Sequence, residues 1–143
     1  DYQVDLLGYK YYMIDIMAAI CLEQMKKLPE HLKFRRHVQE RYKNELHPII
    51  ERPPHSETVQ YYCAKVPPEH RDTLIDYLAD KKIHTSVHFK PLHKYTPLVQ
   101  NREYPVADVE WLKLISLPVH NRMEESDIDY VIYWVNKYFD EVV

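Results

Sequence analysis

Three closely spaced histidines are the first candidates for chemistry in this sequence. His84, His88 and His93 stand among nine histidines, and their spacing raises the question of a metal site. Residues 83–89 alternate in polarity, which predicts a strand with His84, Ser86 and His88 on one face. Side chains four residues apart on a strand are separated by about 13 Å, too far to share one ion. No cysteine or nearby carboxylate completes a known zinc spacing, so we predict no metal site.

Other reactive groups are weakly indicated. Cys21 lies in an apolar helical segment where burial is expected, and Cys21 and Cys63 are predicted to be reduced thiols. The carboxylates within 124–129 fall at the start of a predicted helix, where they interact favourably with its positive end. Gly8 is the only glycine, against ten prolines, which excludes glycine-dependent phosphate loops and nucleophile elbows. If the chain takes part in catalysis, some reactive groups must come from elsewhere.

The composition is that of an ordinary soluble globular domain, with 45% hydrophobic and 29% charged residues. A net charge of −3 gives no basic footprint for nucleic acid. The basic residues between 26 and 43 are interrupted by glutamates and predict a solvated helix face. No apolar run is long enough to span a membrane. The chain starts at Asp1 without a signal segment, and we interpret it as a piece of a longer cytoplasmic protein.

Two helices are predicted in the first third of the chain. The first covers about 13–28 and is stopped by Pro29, which suits the first turn of a second helix. Apolar residues at 34, 38, 42 and 46 give the second helix a buried stripe. The two helices would form a hairpin or an angled pair. Residues 14–22 are apolar on nearly every side, so this half must be covered on several faces.

The rest of the sequence alternates strands and helices. A strand over 58–66, a helix over 69–81 and a strand over 83–89 predict a β-α-β unit. Prolines predict a loop over 90–97 that leads to a short helical turn. A helix starting at Tyr104 would bury Val106, Val109 and Leu112, and a short strand follows at 115–119. Helical spacing predicts a final helix over 124–142 that buries Ile128, Val131, Ile132, Val135 and Phe139.

Four blocks of the sequence, in order along the chain, resemble the C-terminal region of sugar aminotransferases of the DegT/DnrJ/StrS type. The first is 8–28, which begins Gly-Tyr-Lys-Tyr-Tyr-Met. The second is 84–93, His-Thr-Ser-Val-His-Phe-Lys-Pro-Leu-His. The third consists of Tyr-Pro-Val-Ala-Asp at 104–108 and Ile-Ser-Leu-Pro-Val-His at 115–120, and the fourth lies at 126–131.

The resemblance implies an α/β (α+β-like) fold, namely the small C-terminal domain of the pyridoxal-phosphate (PLP) transferase fold. Its helices would pack on a small, mainly antiparallel sheet. Residues 1–143 would form this single domain, with a helical connector at about 13–46. The larger domain, which holds the Schiff-base lysine, would lie outside the chain, so the chain alone would not catalyse transamination.

The same resemblance implies roles for four residues. The family position filled by Lys10 approaches the cofactor phosphate of the partner subunit, so we expect a cofactor contact there. His88, Phe89 and His93 correspond to positions that border the substrate pocket, where imidazoles can donate to sugar hydroxyls or diphosphate oxygens. No catalytic residue is implied within the chain.

The function implied by the resemblance is amination of a keto nucleotide-sugar, in deoxyaminosugar or cell-surface polysaccharide biosynthesis. Glutamate would be the amino donor, and the enzyme would be a cytoplasmic homodimer with no nucleic-acid or membrane partner. Two alternatives stay open. One is a PLP-dependent sugar dehydratase of the same fold, and the other is a non-catalytic dimerisation or regulatory module, which the family departures at Tyr12 and Cys21 would permit.

Overall fold

The computed structural model describes residues 8–54, 59–95, 98 and 102–143. Within these ranges a long helix α1 (Asp15–Glu45) is followed by β1 (Tyr62–Lys65) and α2 (Pro68–Asp80). A short 3₁₀ helix (Leu92–Lys94) precedes α3 (Pro105–Lys113), β2 (Leu114–Leu117) and α4 (Glu125–Val142). The predicted helix over 69–81 and the final helix are confirmed to within a few residues, whereas the short helical turn lies at Leu92–Lys94, inside the predicted 90–97 loop and not after it. Thr58, Thr96 and Pro97, which belong to predicted elements, lie outside the described residues.

In the described residues the sheet consists of two antiparallel strands, β1 and β2. Cys63 of β1 stands opposite Ser116 of β2, and Ser86 forms an isolated antiparallel bridge to the other side of Ser116. The prediction of a mainly antiparallel sheet is confirmed. The predicted β-α-β unit is wrong, because β2 arrives later in the chain and takes the place next to β1. Residues 83–89 are therefore an edge segment with one bridge, not a strand paired with β1.

The hydrophobic core lies between the sheet, α4, α2 and the second half of α1. All five apolar residues predicted for the inner face of α4 are buried, with exposures of 7% or less. Val38 and Tyr42 of α1 are 0% exposed, Leu46 is 3% exposed, and Phe34 packs at the edge of the core. The buried stripe at 34, 38, 42 and 46 is thus confirmed. The Tyr42 hydroxyl donates to the carbonyl of Pro118 at 2.9 Å, and burial raises the pKa of Tyr42 far above its usual range.

Helix α1 corrects the expectation of two helices, because it runs through Pro29 without interruption. A proline inside a helix removes one backbone hydrogen bond and strains the turn before it. Residues 21–30 are all exposed, so water can satisfy the carbonyl that loses its partner. A helix stop at Pro29, and the hairpin it would create, do not form.

Two apolar faces that were expected to be covered are exposed in the described part of the chain. Ile16, Ile20 and Leu22 in the first half of α1 are 70%, 57% and 66% exposed. Cys21 is exposed as well, against the expectation of burial, and both cysteines are free thiols. On α3, Val106, Val109 and Leu112 are exposed, so the predicted buried side is wrong for this chain. Trp111 and Glu110 are half-buried and form the side of α3 that contacts the rest of the domain.

The basic part of α1 is also less solvated than predicted. Arg41 donates to Glu45 on its own helix and to Glu125 and Asp129 of α4, at 2.8 and 2.5 Å for the two α4 contacts. Only 24% of the Arg41 side chain is exposed. This network attaches the second half of α1 to α4. Among the helices that the structure describes, none has the length and apolar character required to cross a membrane.

Candidate functional site

The polar face of residues 83–90 forms one wall of a cleft of about 370 Å³, here called the histidine cleft. Two backbone hydrogen bonds between Ser86 and Ser116, of 3.1 and 2.7 Å, hold this segment against β2. His84, Ser86 and His88 all line the cleft. The predicted common face of these three residues is therefore confirmed, although the segment is not a regular strand.

The opposite wall contains Arg35 of α1 and Tyr61, which precedes β1. The Arg35 guanidinium donates to Asn121 Oδ1 at 3.0 Å and to the carbonyl of Val59 at 3.2 Å. These bonds fix a cation at the cleft, where sequence reasoning had expected a solvated lysine and arginine face. In the sequence Arg35 directly follows Phe34 of the buried stripe, and this position could have indicated that Arg35 lies beside the core.

His88 is held by contacts on three sides. Its Nδ1 lies 3.0 Å from the hydroxyl oxygen of Ser116, a residue that is 5% exposed. Its ring stacks on Tyr61 with 4.3 Å between centroids, and the ring of Phe89 meets it edge-on at 5.2 Å. The peptide bond between His88 and Phe89 is cis. An imidazole fixed in this way can present its other nitrogen to a bound molecule with little loss of side-chain freedom.

Phe89 and Lys10 are both accessible. Phe89 is 61% exposed beside the histidine cleft. Lys10 lies in the extended segment that precedes α1, where Tyr9, Tyr11 and Tyr12 are 87–99% exposed. In the described ranges Lys10 makes no hydrogen bond or ion pair. Its ammonium is therefore available to an external anion, and its cofactor role stays a prediction.

His93 contacts a different set of residues from His88. Its Nε2 is 3.0 Å from Asp108 Oδ1 on α3, and its ring stacks on Tyr104 at 4.9 Å. Lys94 Nζ is 2.8 Å from the same carboxylate oxygen. The hydrogen bond from Lys94, supported by that with His93, holds the pKa of Asp108 below its usual range. The structure thus joins two of the motif-bearing segments, 84–93 and 104–108, but His93 does not line the histidine cleft.

The chemistry available in the histidine cleft is hydrogen bonding and charge. Arg35, His84 and His88 can donate to oxygen acceptors, and Tyr61 offers ring surface, with the Phe89 ring edge-on to His88. Across the part of the chain that the structure describes, no group of three or more histidine, cysteine or carboxylate side chains is placed to hold a metal ion. Sequence reasoning missed Tyr61 and Ser116, because their roles depend on the pairing of β2 with two neighbours.

The fold defines the class of protein. A long helix leading into helices packed on a small antiparallel sheet matches the aminotransferase fold. The structure superposes on Spr1654 of Streptococcus pneumoniae, assigned as a sugar aminotransferase and solved in its PLP form, with a TM-score of 0.83. The alignment has 28% identity and covers 100% of this chain and 40% of that one. Residues 1–136 match the DegT/DnrJ/EryC1/StrS aminotransferase family, and the chain belongs to that family.

Two curated relatives carry more specific names. The chain is 27% identical to GDP-perosamine synthase of Escherichia coli O157:H7, over 98% of this chain and 40% of the relative. It is also 27% identical to dTDP-4-dehydro-2,3,6-trideoxy-D-glucose 4-aminotransferase of Saccharopolyspora spinosa, over 90% of this chain and 35% of that relative. The chain therefore spans two fifths or less of the length of the curated relatives it matches.

Proposed function

We propose that the chain is the C-terminal domain of a PLP-dependent aminotransferase that converts a keto group of a nucleotide-linked sugar into an amine. The relatives named for GDP- and dTDP-linked sugars support this substrate class. In the cell the reaction would serve deoxyaminosugar or polysaccharide biosynthesis in the cytoplasm, with glutamate as amino donor.

The main structural support for the proposal is the exposed apolar surface on the first half of α1. Ile16, Ile20 and Leu22 expose more than half of their surfaces on a helix whose second half buries one stripe, at Val38, Gln39 and Tyr42. A contiguous apolar surface of this kind is typical of a protein–protein contact. In our proposal it packs against the large cofactor-bearing domain and a second subunit of a homodimer, so residues 1–143 would be one domain of a longer enzyme.

In this proposal the residues of this chain contact the cofactor phosphate and not the carbon atom at which amino transfer occurs. PLP, when bound, supplies the electron sink for amino transfer. Lys10 offers an ammonium, unpaired in the described ranges, which suits contact with the cofactor phosphate of the partner subunit as a point charge. We assign no catalytic residue to the chain.

Substrate recognition falls to the groups at the histidine cleft in this proposal. His88 would donate to sugar hydroxyls or diphosphate oxygens, and Phe89 would contact the sugar or base. His93 would contribute from the neighbouring loop, with Asp108 orienting its ring through the 3.0 Å contact. Uncharged substrate oxygens and the diphosphate both need donors, which imidazoles provide.

The experiment that tests the cofactor assignment uses the full-length protein. Purified with PLP, it should show the visible absorbance of a lysine-bound cofactor, and borohydride should abolish that absorbance. An absorbance that borohydride leaves unchanged would overturn the aminotransferase assignment and favour the dehydratase, in which histidine replaces the lysine. A full-length protein that binds no PLP would favour the non-catalytic module.

A further inference from the structure

A second cleft, of about 500 Å³, lies on the opposite side of residues 83–90 and is here called the tryptophan cleft. It lies between α2, α3 and the 83–90 segment, and Thr85 and Val87 line it without lining the histidine cleft. Ser86 and His88 border both cavities. The proposed substrate contacts leave most of this cavity without a role.

Two buried polar atoms, on residues that line the tryptophan cleft, have no hydrogen-bond partner in the described part of the chain. Trp111 Nε1 and Thr85 Oγ1 are each enclosed and unpaired. An indole N–H can only donate, and a threonine hydroxyl can donate or accept. Leaving such groups unpaired when buried costs free energy, so a molecule that offers acceptors here is stabilised relative to one that does not.

Two cations line the same cavity. The Arg71 side chain is 9% exposed, donates from Nε to Asp72 at 2.8 Å and from one terminal nitrogen to the carbonyl of Trp111 at 3.1 Å, and lies over the Trp111 ring. Its second terminal nitrogen makes no hydrogen bond in the described ranges. Lys90 Nζ lies 5.7 Å from the centre of the Tyr95 ring and has no carboxylate partner in those ranges.

The balance of donors and acceptors identifies the class of ligand. The lining residues carry two cationic donors, one Arg71 nitrogen and the Lys90 ammonium, and two enclosed donors, Trp111 Nε1 and the Thr85 hydroxyl. Among the described residues of the lining, the one carboxylate is that of Asp72, which is already bonded to Arg71. We infer that the tryptophan cleft binds a small oxyanion, a phosphate or a carboxylate group. This site shares Ser86 and His88 with the histidine cleft but uses donors from other residues, and the inference does not depend on the proposed transamination.

The test follows the two tryptophans by ¹⁹F NMR in full-length protein labelled with 5-fluorotryptophan, with signals assigned from Trp111→Phe and Trp134→Phe. Trp134 is the matched internal control, because its Nε1 is also buried and unpaired but lies away from this cleft. Titration with inorganic phosphate and, separately, with succinate should shift the Trp111 signal saturably and leave Trp134 unmoved. Saturation with phosphate alone identifies a phosphate site, and saturation with succinate alone a carboxylate site.

Two variants of the proposed site and one control variant test which groups bind the anion. Thr85→Val and Lys90→Gln should each weaken the apparent affinity about tenfold, since each removes one donor to the anion. Lys33→Gln, which removes an equal charge from the exposed side of α1, should leave it unchanged. The inference is overturned if neither anion gives a saturable Trp111 shift, if both tryptophans move together, or if Lys33→Gln weakens binding as much as Lys90→Gln.

Discussion

His88 stacks on Tyr61 with their ring centroids 4.3 Å apart, and the same imidazole lies 3.0 Å from the Ser116 hydroxyl. The ring is therefore held from two directions before any ligand arrives. An imidazole held in this way is a group whose removal should affect binding more than turnover.

The first prediction concerns this imidazole in the full-length enzyme. His88→Phe keeps a ring on Tyr61 but removes both nitrogens, so KM for the keto nucleotide-sugar should rise about three- to tenfold, with a smaller change in kcat, as expected for one lost hydrogen bond. Tyr61→Phe, which keeps the stacked ring, is the matched control and should stay near wild type. An unchanged KM in His88→Phe would remove His88 from the substrate site.

The second prediction concerns the hydroxyl of Tyr42, which joins α1 to the end of β2 through the carbonyl of Pro118. Tyr42→Phe should lower the free energy of unfolding by about 1 kcal/mol, because the part-buried carbonyl of Pro118 loses its donor while the ring packing is retained. Urea denaturation measures the change. Tyr133→Phe, on the exposed side of α4, should be close to neutral. Equal effects of the two variants would show that the buried hydrogen bond has no net role.

The third prediction concerns the apolar half of α1. Replacing Ile16 and Ile20 by lysine in the full-length protein should weaken its assembly, since burial of each isoleucine contributes about 1.5 to 3 kcal/mol. Light scattering after size-exclusion chromatography should show a shift from dimer to monomer. Lys27→Gln, on the same half of the helix, should leave the mass unchanged. A stable dimer in the double lysine variant would argue against an interface on this face.

The fourth prediction concerns pH. The Glu110 carboxylate accepts from Lys113 and Lys65 at 2.7 and 2.8 Å, and these hydrogen bonds lower its pKa to about 2. Because the folded-state pKa lies below the unfolded value, the carboxylate stabilises the fold fully above the ordinary glutamate pKa of about 4.3, and this contribution disappears as pH falls towards 2. Unfolding curves should therefore depend less on pH in this interval for Glu110→Gln than for wild type. Parallel curves for the two proteins would contradict the assignment.

The sequence predicted best those elements whose partners lie within the chain. Helix α4 has apolar residues at helical spacing, and the core of this domain covers them, so its inner face was predicted residue by residue. The stripe of α1 ending at Leu46 was predicted for the same reason. The position of β2 between β1 and residues 83–89 was not, because strand order depends on contacts between distant segments.

The errors share a physical cause. Helical spacing of apolar residues indicates that a helix face is buried, but it does not indicate which part of this chain, or which other domain, covers that face. Val106, Val109 and Leu112 have the right spacing and are nevertheless exposed here, as is Ile16 on α1. Pro29 shows a second limit, since a proline can stay inside a helix where the freed carbonyl is exposed to water.

The candidate site was predictable in its residue types but not in its grouping. His88 was identified from the segment 84–93, and its alternation placed it correctly beside His84. The contact of His93 with Asp108 joins segments that are separated in sequence, so no local pattern could reveal it. Arg35 reaches the site through the packing of α1, and Tyr61 through the pairing of β1 with β2.

Product analysis with the full-length protein, PLP, glutamate and a nucleotide-linked keto sugar tests the proposed amination itself. We expect a nucleotide-linked amino sugar, with 2-oxoglutarate formed in equal amount. Loss of water from the sugar without nitrogen incorporation, or no turnover across GDP- and dTDP-linked keto sugars, would contradict it.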